Sequence, residues 1–295
     1  THLHADFLSG HMDLAEATGA EIIAPASAGC SFPHRGVAEG DLVSIGDVSL
    51  SVLETPGHTP EHVSYVVRDL SRGEEPLGVF TGDTLFVGDA GRPDLFPGRA
   101  RELAAKLHGS LGKLRKLPDY CEVWPTHGAG SLCGRAVGAK YTSTIGYEKL
   151  HNSPFNMGLD ALVKSLTEDM PPAPDHFTRC SEINRRGPQK LRGVPEPMVM
   201  APAEFRERME KDKVLVLDLR NPDAFAACHV PGSLSISVEG NFPTFAGWVT
   251  PPGSEILFVA RDRSDALAAK EALSMVGEFH VSGYLTGGLF RWSLE

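Results

Sequence analysis

The chain has 295 residues, of which 41% are hydrophobic and 22% are charged, and its formal net charge is -10. This length is enough for two domains with ordinary cores, and the composition is typical of a globular protein. The excess of negative charge repels phosphate backbones and anionic membrane surfaces, which argues against a nucleic-acid partner. Since no apolar run approaches the ~20 residues that a bilayer span requires, we expect no membrane partner either.

Short apolar and alternating stretches bounded by turn residues predict strands in the first half of the chain. These strands cover residues 21–24, 41–45, 48–53, 63–67, 79–83 and 121–124. Apolar residues at helical spacing predict helices over 99–117 and 159–168, and a short helix that ends near Gly19. The Gly-, Pro- and Asp-rich loop 87–98 is too long for a simple connection, which favours a functional role.

The composition changes where Pro171-Pro172-Ala173-Pro174 breaks the chain. Residues 176–195 are basic and polar and contain Pro and Gly, which is typical of a linker. The elements predicted after the linker are a helix at 202–211, strands at 214–217 and 256–259, and a helix at 264–276. Their alternation indicates an α/β domain with a parallel sheet. We therefore predict a first domain over 1–175, a linker over 176–195 and a second domain over 196–295.

The five cysteines are irregularly spaced, at Cys30, Cys121, Cys133, Cys180 and Cys228. An odd number of cysteines without a regular framework is unlike a disulfide scaffold and suits a reducing compartment. We therefore expect free thiols and a cytoplasmic protein.

Metal-competent side chains open the chain, in the run His2-x-His4-x-Asp6. Its two imidazoles reach one point only where the backbone turns, and a surface loop that holds two histidines by chance is the alternative. Further candidates lie beside glycine at predicted strand ends, where side chains can project into one cleft. They are His58, Asp83, Asp94 and His127. Each alone could be a turn residue, but their joint occurrence in this order favours a metal site.

In this order of motifs the chain resembles the metallo-β-lactamase superfamily over roughly the first two thirds of its length. The matching positions are His2, His4, Asp6, His58, Asp83 and His127. The resemblance implies an α/β fold of the αββα sandwich type. We expect its opening N-terminal strands to lie before Thr1.

Two-metal hydrolases of that superfamily, such as glyoxalase II, have a further histidine directly after the His-x-His-x-Asp run, where this chain has Phe7. Phe cannot bind a metal ion, so a second site would keep only Asp6, His127 and a bridging Asp83. We expect that site to be weak or empty. Two imidazoles and one carboxylate with open positions suit Fe(II) and O₂, whereas zinc would prefer a tetrahedral set closed by water.

This departure makes the chain similar to persulfide dioxygenases, and in particular to bacterial fusions of that enzyme with rhodanese-like domains. The stretches that carry the resemblance are 1–7, 88–94, 124–134 and 143–148. It implies one Fe(II) per chain, held by His2, His58 and Asp83. It also implies groups that orient the ligands or the persulfide, namely His4, Asp6 and His127. Arg92 is a further candidate that would hold the long loop through Asp94, and an internal ion pair is its alternative role.

The expected partners are a small-molecule thiol persulfide, such as glutathione persulfide, and O₂. The outer persulfide sulfur is a soft anion that suits iron, and its oxidation by O₂ followed by water releases sulfite and the thiol. A glyoxalase II-like thioester hydrolase and a non-catalytic persulfide-binding protein are the alternatives. Cys133 could relay sulfur, but a small buried residue is the favoured interpretation. The resemblance also predicts a homo-oligomer.

Residues 196–295 resemble a rhodanese-like domain, in the stretches 218–225, 229–234 and 287–292. An active rhodanese carries Cys-x-x-Gly-x-Arg after its central strand. If Arg263 is the arginine of that motif, Phe258 occupies the cysteine position and Arg261 the glycine position, so the loop has no sulfur carrier. Cys228 does not match that loop. We therefore predict an inactive domain that serves as a dock or spacer.

Overall fold

The computed structural model describes residues 1–168, 170–190, 195–211, 213–277 and 279–294. The contacts of the chain form two compact units. The first consists of Thr1–His4, Thr18–Ala173 and Asn184–Gly187, and the second of Ala5–Ala17, Pro174–Ile183 and Pro188–Glu295. Each unit draws on several segments, whereas the sequence patterns predict continuous domains. Across the described residues, no helix combines the length and the apolar character needed to cross a membrane.

A mixed sheet is the centre of the first unit. The chain starts with helix α1 (His11–Thr18), then strand β1 (Ile23–Pro25), a 3-10 turn (Ala26–Ala28) and strand β2 (Arg35–Val37). The strands that follow are β3 (Leu42–Ile45), β4 (Val48–Glu54), β5 (Val63–Asp69), β6 (Gly78–Gly82), β7 (Leu85–Phe86), β8 (Asp89–Ala90), β9 (Glu122–Pro125) and β10 (Ser143–Thr144). Six of them form one sheet in the order β10-β9-β6-β5-β4-β3. Its β6–β9 pair is parallel and its other pairs are antiparallel.

The core of the first unit is formed by this sheet and the helices that pack on it. The helices of this part are α2 (Ala100–Leu114), α3 (Ile145–His151), α4 (Ser153–Asn156) and α5 (Leu159–Thr167). Leu107, Leu111 and Leu114 lie three or four residues apart and therefore share one face of α2. They belong to one buried cluster with Val79 of β6 and Leu162 of α5. Burial of this apolar stripe stabilises the unit and supports the strand ends.

A parallel sheet forms the second unit, as the α/β pattern predicts. The elements from residue 176 onward are α6 (His176–Arg186), β11 (Met198–Met200), α7 (Pro202–Met209), β12 (Val214–Asp218), α8 (Pro222–Ala227), β13 (Leu234–Ser235), α9 (Phe242–Val249), β14 (Glu255–Val259), α10 (Arg263–Ser274), β15 (His280–Leu285) and α11 (Gly288–Leu294). All strand pairs in the order β11-β15-β14-β12-β13 are parallel. Ile256 and Phe258 lie in one core cluster and Leu257 and Val259 in the other, because side chains alternate between the two faces of a strand.

Two segments differ from the sequence-based expectation. The predicted linker 176–195 begins with α6, in which Phe177, Cys180 and Ile183 are buried at helical spacing. Its residues 191–194 lie outside the described residues. The predicted loop 87–98 includes the two-residue strand β8, which pairs with β7. The basic residues at the end of α6 and the shortness of β8 conceal both elements in the sequence.

Candidate metal centre

Three side chains from distant parts of the sequence meet in the first unit: His2, His58 and Asp83. One donor atom of each lies within 4.8 Å of the donor atoms of the others. Nε2 of His58 is 3.2 Å from Oδ2 of Asp83, and Nε2 of His2 is 3.8 Å from the same oxygen. All three side chains are fully buried. The structure therefore brings together the three residues that we predict to hold the metal ion.

The segments that carry these side chains lie at the ends of strands. His58 lies between β4 and β5, and Asp83 directly follows β6. The segment of His2 is attached to the start of β5, where the amide of Val63 donates a 2.9 Å hydrogen bond to the carbonyl of Thr1. Strand ends in a sheet are rigid supports, so they can hold side chains from three loops in a constant arrangement.

The backbone of Arg92 determines which nitrogen of His58 is available. Nδ1 of His58 lies 2.9 Å from the carbonyl oxygen of Arg92. A carbonyl can only accept a hydrogen bond, so Nδ1 carries the proton. Nε2 is left with its lone pair on the side of Asp83. Metal-binding imidazoles commonly donate their other N–H to a protein oxygen in this way.

The guanidinium of Arg92 is buried and engaged by other protein groups. Its Nε and Nη2 atoms bind both carboxylate oxygens of Asp94, at 2.7 and 2.8 Å. Its remaining contacts are to the carbonyls of Leu132 (3.2 Å) and Pro171 (2.6 Å). These bonds hold the loop whose carbonyl orients His58. The ion pair with Asp94 is thus present, while a part for Arg92 in catalysis stays a prediction.

Burial and neighbouring charges put His2 and Asp83 in metal-binding forms. Burial lowers the pKa of His2 well below its usual value. Burial acts to raise the pKa of Asp83, but the adjacent His2 and His58 outweigh it and hold this pKa well below its usual value. A metal ion binds neutral imidazoles and ionised carboxylates. The site is therefore ready to bind a cation at neutral pH.

Two further predicted residues lie beside the three. The ring centroid of His4 is 4.4 Å from that of His2, and Nε2 of His127 is 3.4 Å from Oδ2 of Asp83. Burial lowers the pKa of His4 to about 4, so its imidazole is neutral at pH 7. The side chain of His127 is 14% exposed. Their roles toward a substrate stay predictions.

Asp6 and Cys133 are two further residues that the sequence patterns single out. Asp6 belongs to the second unit, and both its role as an orienting group and the weak second site stay predictions. Cys133 is fully buried, as expected. Its amide lies 3.1 Å from the Ser131 hydroxyl oxygen, which accepts the hydrogen bond.

His62 is a buried residue of this region that the sequence patterns do not single out. Its ring lies almost parallel to that of His2, with centroids 4.8 Å apart and an angle of 19° between the planes. Its Nε2 accepts a 2.9 Å hydrogen bond from the amide of Asp83. The sequence does contain a second histidine four residues after His58, directly before a strand, and this could have indicated His62.

The donor atoms fit a bound metal ion. Nε2 of His2, Nε2 of His58 and both oxygens of Asp83 are buried and lack a hydrogen-bond partner among the residues that the structure describes. Such atoms are rare in proteins unless a water or an ion satisfies them. Donors bound about 2.1 Å from one metal lie roughly 3 to 3.5 Å apart, and the His58–Asp83 separation of 3.2 Å is within that range. One cation held by these residues would give a partner to both imidazole nitrogens and to the Asp83 carboxylate.

The loop after β14 in the second unit does not include Phe258, where the sequence motif places the cysteine position. Phe258 lies inside β14 and is fully buried, so it does not occupy a loop position. The loop is residues 260–262, and α10 begins at Arg263. The register was wrong because the apolar run of β14 continues to Val259. The loop has no cysteine in either register, and the inactivity of the domain stays a prediction.

Comparison with known proteins also divides the chain into a metallo-beta-lactamase part and a rhodanese-like part. The metallo-beta-lactamase superfamily model matches residues 1–127, and a rhodanese-like domain model matches residues 201–295. The hydroxyacylglutathione hydrolase of Rhodopseudomonas palustris (strain BisB18) is 39% identical over 229 residues, which are 72% of this chain and 78% of that protein. The hydroxyacylglutathione hydrolase of Methylobacillus flagellatus is 40% identical over 129 residues, 43% of this chain. The chain spans only 46% of that relative's length.

Two solved structures extend the comparison. A metallo-beta-lactamase from Staphylococcus aureus has a TM-score of 0.84 and 32% identity, and the match covers 97% of this chain and 82% of that one. ETHE1 from Myxococcus xanthus has a TM-score of 0.53 and 30% identity, over 63% of this chain and 74% of that one. The chain belongs to the metallo-beta-lactamase superfamily. The predicted fold class, a metallo-β-lactamase fold followed by a rhodanese-like domain with a parallel sheet, is confirmed.

Proposed function

We propose that this protein is an iron-dependent persulfide dioxygenase, which oxidises the outer sulfur of a small thiol persulfide, such as glutathione persulfide, to sulfite. The observation that carries the proposal is the buried set of two imidazoles and one carboxylate, His2, His58 and Asp83. This donor set suits a single Fe(II) with open positions for O₂ chemistry. Phe7, which has no donor atom, stands where two-metal hydrolases have a further ligand, and this favours one metal ion per chain.

Fe(II), when bound, would supply open positions for O₂ and the persulfide, and the outer sulfur, which is oxidised to sulfite, would supply the electrons that reduce O₂. The protein groups hold the substrate. A persulfide is anionic at neutral pH, and the neutral imidazole of His4 can donate a hydrogen bond to it beside the metal ligands. His127, whose side chain is partly exposed, lies against Asp83 and can make a second such contact. The overall reaction consumes O₂ and water and yields sulfite and the thiol.

Hydrolysis of a hydroxyacylglutathione is the second candidate function. The relatives from R. palustris and M. flagellatus are named for that activity, and its substrate is also a glutathione conjugate. A hydrolase would cleave a thioester without consuming O₂, and it would be expected to hold two metal ions. Phe7 is the residue that argues against it, because the chain then lacks one of the ligands to the second metal.

Oxygen uptake by iron-loaded protein tests the proposal. The full chain is loaded with Fe(II) under anaerobic conditions and given glutathione persulfide, and O₂ consumption and sulfite are measured together. We expect equal amounts of O₂ consumed and sulfite formed. His58→Ala should abolish uptake, because it removes a ligand, whereas the control His151→Ala removes an exposed histidine and should leave the rate unchanged.

The opposite results are equally specific. Folded protein that carries iron but consumes no O₂ would contradict the dioxygenase assignment. Rapid release of glutathione from a hydroxyacylglutathione by protein with two metal ions per chain would then establish the hydrolase. Tight binding of glutathione persulfide without turnover of either substrate would indicate a binding protein instead.

A further inference from the structure

His62 contacts two of the three candidate metal-binding residues, His2 and Asp83. It directly precedes β5 and is completely buried. Its Nε2 receives the hydrogen bond from the amide of Asp83, and its ring lies against the ring of His2. Gly82 permits this approach, since its φ is +53° and a Cβ there would lie 2.4 Å from Nε2 of His62. Only glycine fits that conformation and that distance.

The hydrogen bonds of His62 define its tautomer. Nε2 accepts from an amide and therefore carries no proton, so the proton of the neutral ring lies on Nδ1. Nδ1 is 3.0 Å from Oγ1 of Thr55 and 3.1 Å from Oγ1 of Thr84. The Thr84 hydroxyl donates its own proton to the carbonyl of Thr55 (2.9 Å), which leaves Oγ1 of Thr84 free to accept from Nδ1. Every polar atom of the His62 ring thus has a partner.

The hydrogen-bond network around His62 includes more groups than are needed to satisfy the two ring nitrogens of a buried histidine. Oγ1 of Thr55 also lies 2.8 Å from Oγ of Ser64, so three buried hydroxyl groups surround Nδ1 and its nearest partners. The other end of the ring meets the backbone of Asp83, and its face meets His2. His62 therefore contacts both candidate metal-binding residues, whereas Ser64 lies at the outer end of the network.

We propose that His62 is a positioning residue of the metal centre, which locates the Asp83 carboxylate through its amide and sets the plane of the His2 ring. Outer groups of this kind commonly determine metal affinity by orienting the residues that bind the metal. The inference requires that the three residues bind a metal ion, but it does not depend on which reaction the centre catalyses. It can therefore be tested without an activity measurement.

Cobalt binding by the full chain is the test, because the visible absorption of Co(II) reports the geometry of its ligands. His62→Phe keeps an aromatic face against His2 and removes the acceptor for the Asp83 amide. His62→Gln keeps an acceptor and removes the aromatic face. Ser64→Ala is the matched control, because it removes a buried hydroxyl from the same network without contact to His2 or Asp83.

We expect His62→Phe to weaken Co(II) binding by about 10- to 100-fold and to change the visible spectrum. His62→Gln should weaken binding less, because the amide of Asp83 keeps a partner, and should also change the spectrum. Ser64→Ala should match the wild type in both measurements, even if its melting temperature falls. Either His62 variant, folded by circular dichroism and identical to the wild type in Co(II) affinity and spectrum, would overturn the inference.

The outcome is separable from that of the proposed function. A wild-type protein that binds Co(II) and iron but fails to consume O₂ would contradict the dioxygenase, while the cobalt spectra of the His62 variants would still decide the role of this residue. A wild-type protein that binds no Co(II) would contradict the metal centre and this inference together.

Discussion

His176 is completely buried in the second unit, and burial lowers its pKa to about 4. It lies at the start of α6, where its ring packs edge-on against Phe177 at 5.2 Å between centroids. A histidine whose pKa is lower in the folded chain than in the unfolded chain makes stability depend on pH. The unfolded value is 6.5. Between these two values the unfolded chain binds a proton that the folded chain excludes.

The free energy of unfolding should therefore fall as the pH is lowered from 6.5 to about 4, by up to about 3 kcal/mol for this residue. His176→Gln removes the titrating group and should flatten that part of the curve, as measured by melting temperature against pH. The exposed His151→Gln is the control and should retain the wild-type slope. The same slope in His176→Gln and the wild type would contradict the prediction.

At the residue scale, the sequence identified the donor set but not its support. The resemblance to persulfide dioxygenases selects His2, His58 and Asp83, because its motifs combine residue types with their order along the chain. His62 and the carbonyl of Arg92 were not, because a packing contact and a backbone hydrogen bond have no signature in residue type. The structure supplies the proton positions on His58 and His62, which follow from these contacts.

At the element scale, α2 packs very close to the loop between β4 and β5, which contains Gly57 and His58. Gly57 has a φ of +152°, and a Cβ on it would lie 2.4 Å from Cβ of Leu107 and 2.6 Å from its Cα. The atoms met are those of a helix in the core, which cannot move aside at low cost. Gly57 therefore permits α2 to pack next to the loop that carries His58.

Gly57→Ala should lower the free energy of unfolding by at least about 1–3 kcal/mol, the usual cost of overpacking. It should also reduce metal loading, because His58 is the next residue. Urea unfolding with the metal content measured in parallel checks both effects. Gly109→Ala in α2 is the matched control: a Cβ there meets nothing within 4 Å, and we expect it to stabilise the protein by roughly 0.5–1 kcal/mol. Equal stability of Gly57→Ala and the wild type would contradict the close approach.

Several of the longer elements agree with the sequence patterns, and the two-residue strands do not appear in them. The predicted strands 48–53 and 63–67 correspond to β4 and β5, and the predicted helix 99–117 contains α2. Such elements contain enough residues to show a period of two or of 3.6. β7, β8 and β10 have two residues each, which is too short for any periodicity. They exist because the surrounding chain holds them next to a partner.

At the scale of the whole molecule, the second unit supplies a parallel sheet without a sulfur carrier in the loop after β14. That loop, residues 260–262, has no cysteine. The side chain of Asp262 accepts a hydrogen bond from the amide of Asp265 at the start of α10 (3.0 Å). This carboxylate occupies the position at which a helix N-terminus would otherwise attract an anion.

We therefore expect no transfer of sulfur from thiosulfate to cyanide by the full chain, measured as thiocyanate formation against an active rhodanese. Cys228 is exposed, and Cys228→Ser should leave the oxygen uptake of the iron-loaded protein unchanged. Thiocyanate formation that Cys228→Ser abolishes would show that this cysteine carries sulfur, contrary to the prediction.

The sequence by itself predicted the class of fold and the two kinds of domain, and it singled out three side chains that the structure brings together, His2, His58 and Asp83. It could do so because apolar periodicity reports which faces are buried, and because donor atoms are a property of residue type. Only the tertiary structure decided the segments that make up each unit, the place of α6, the loop register after β14 and the contacts of His62 and Arg92. These depend on distances between residues far apart in the chain, which are set when the sheet and its helices pack.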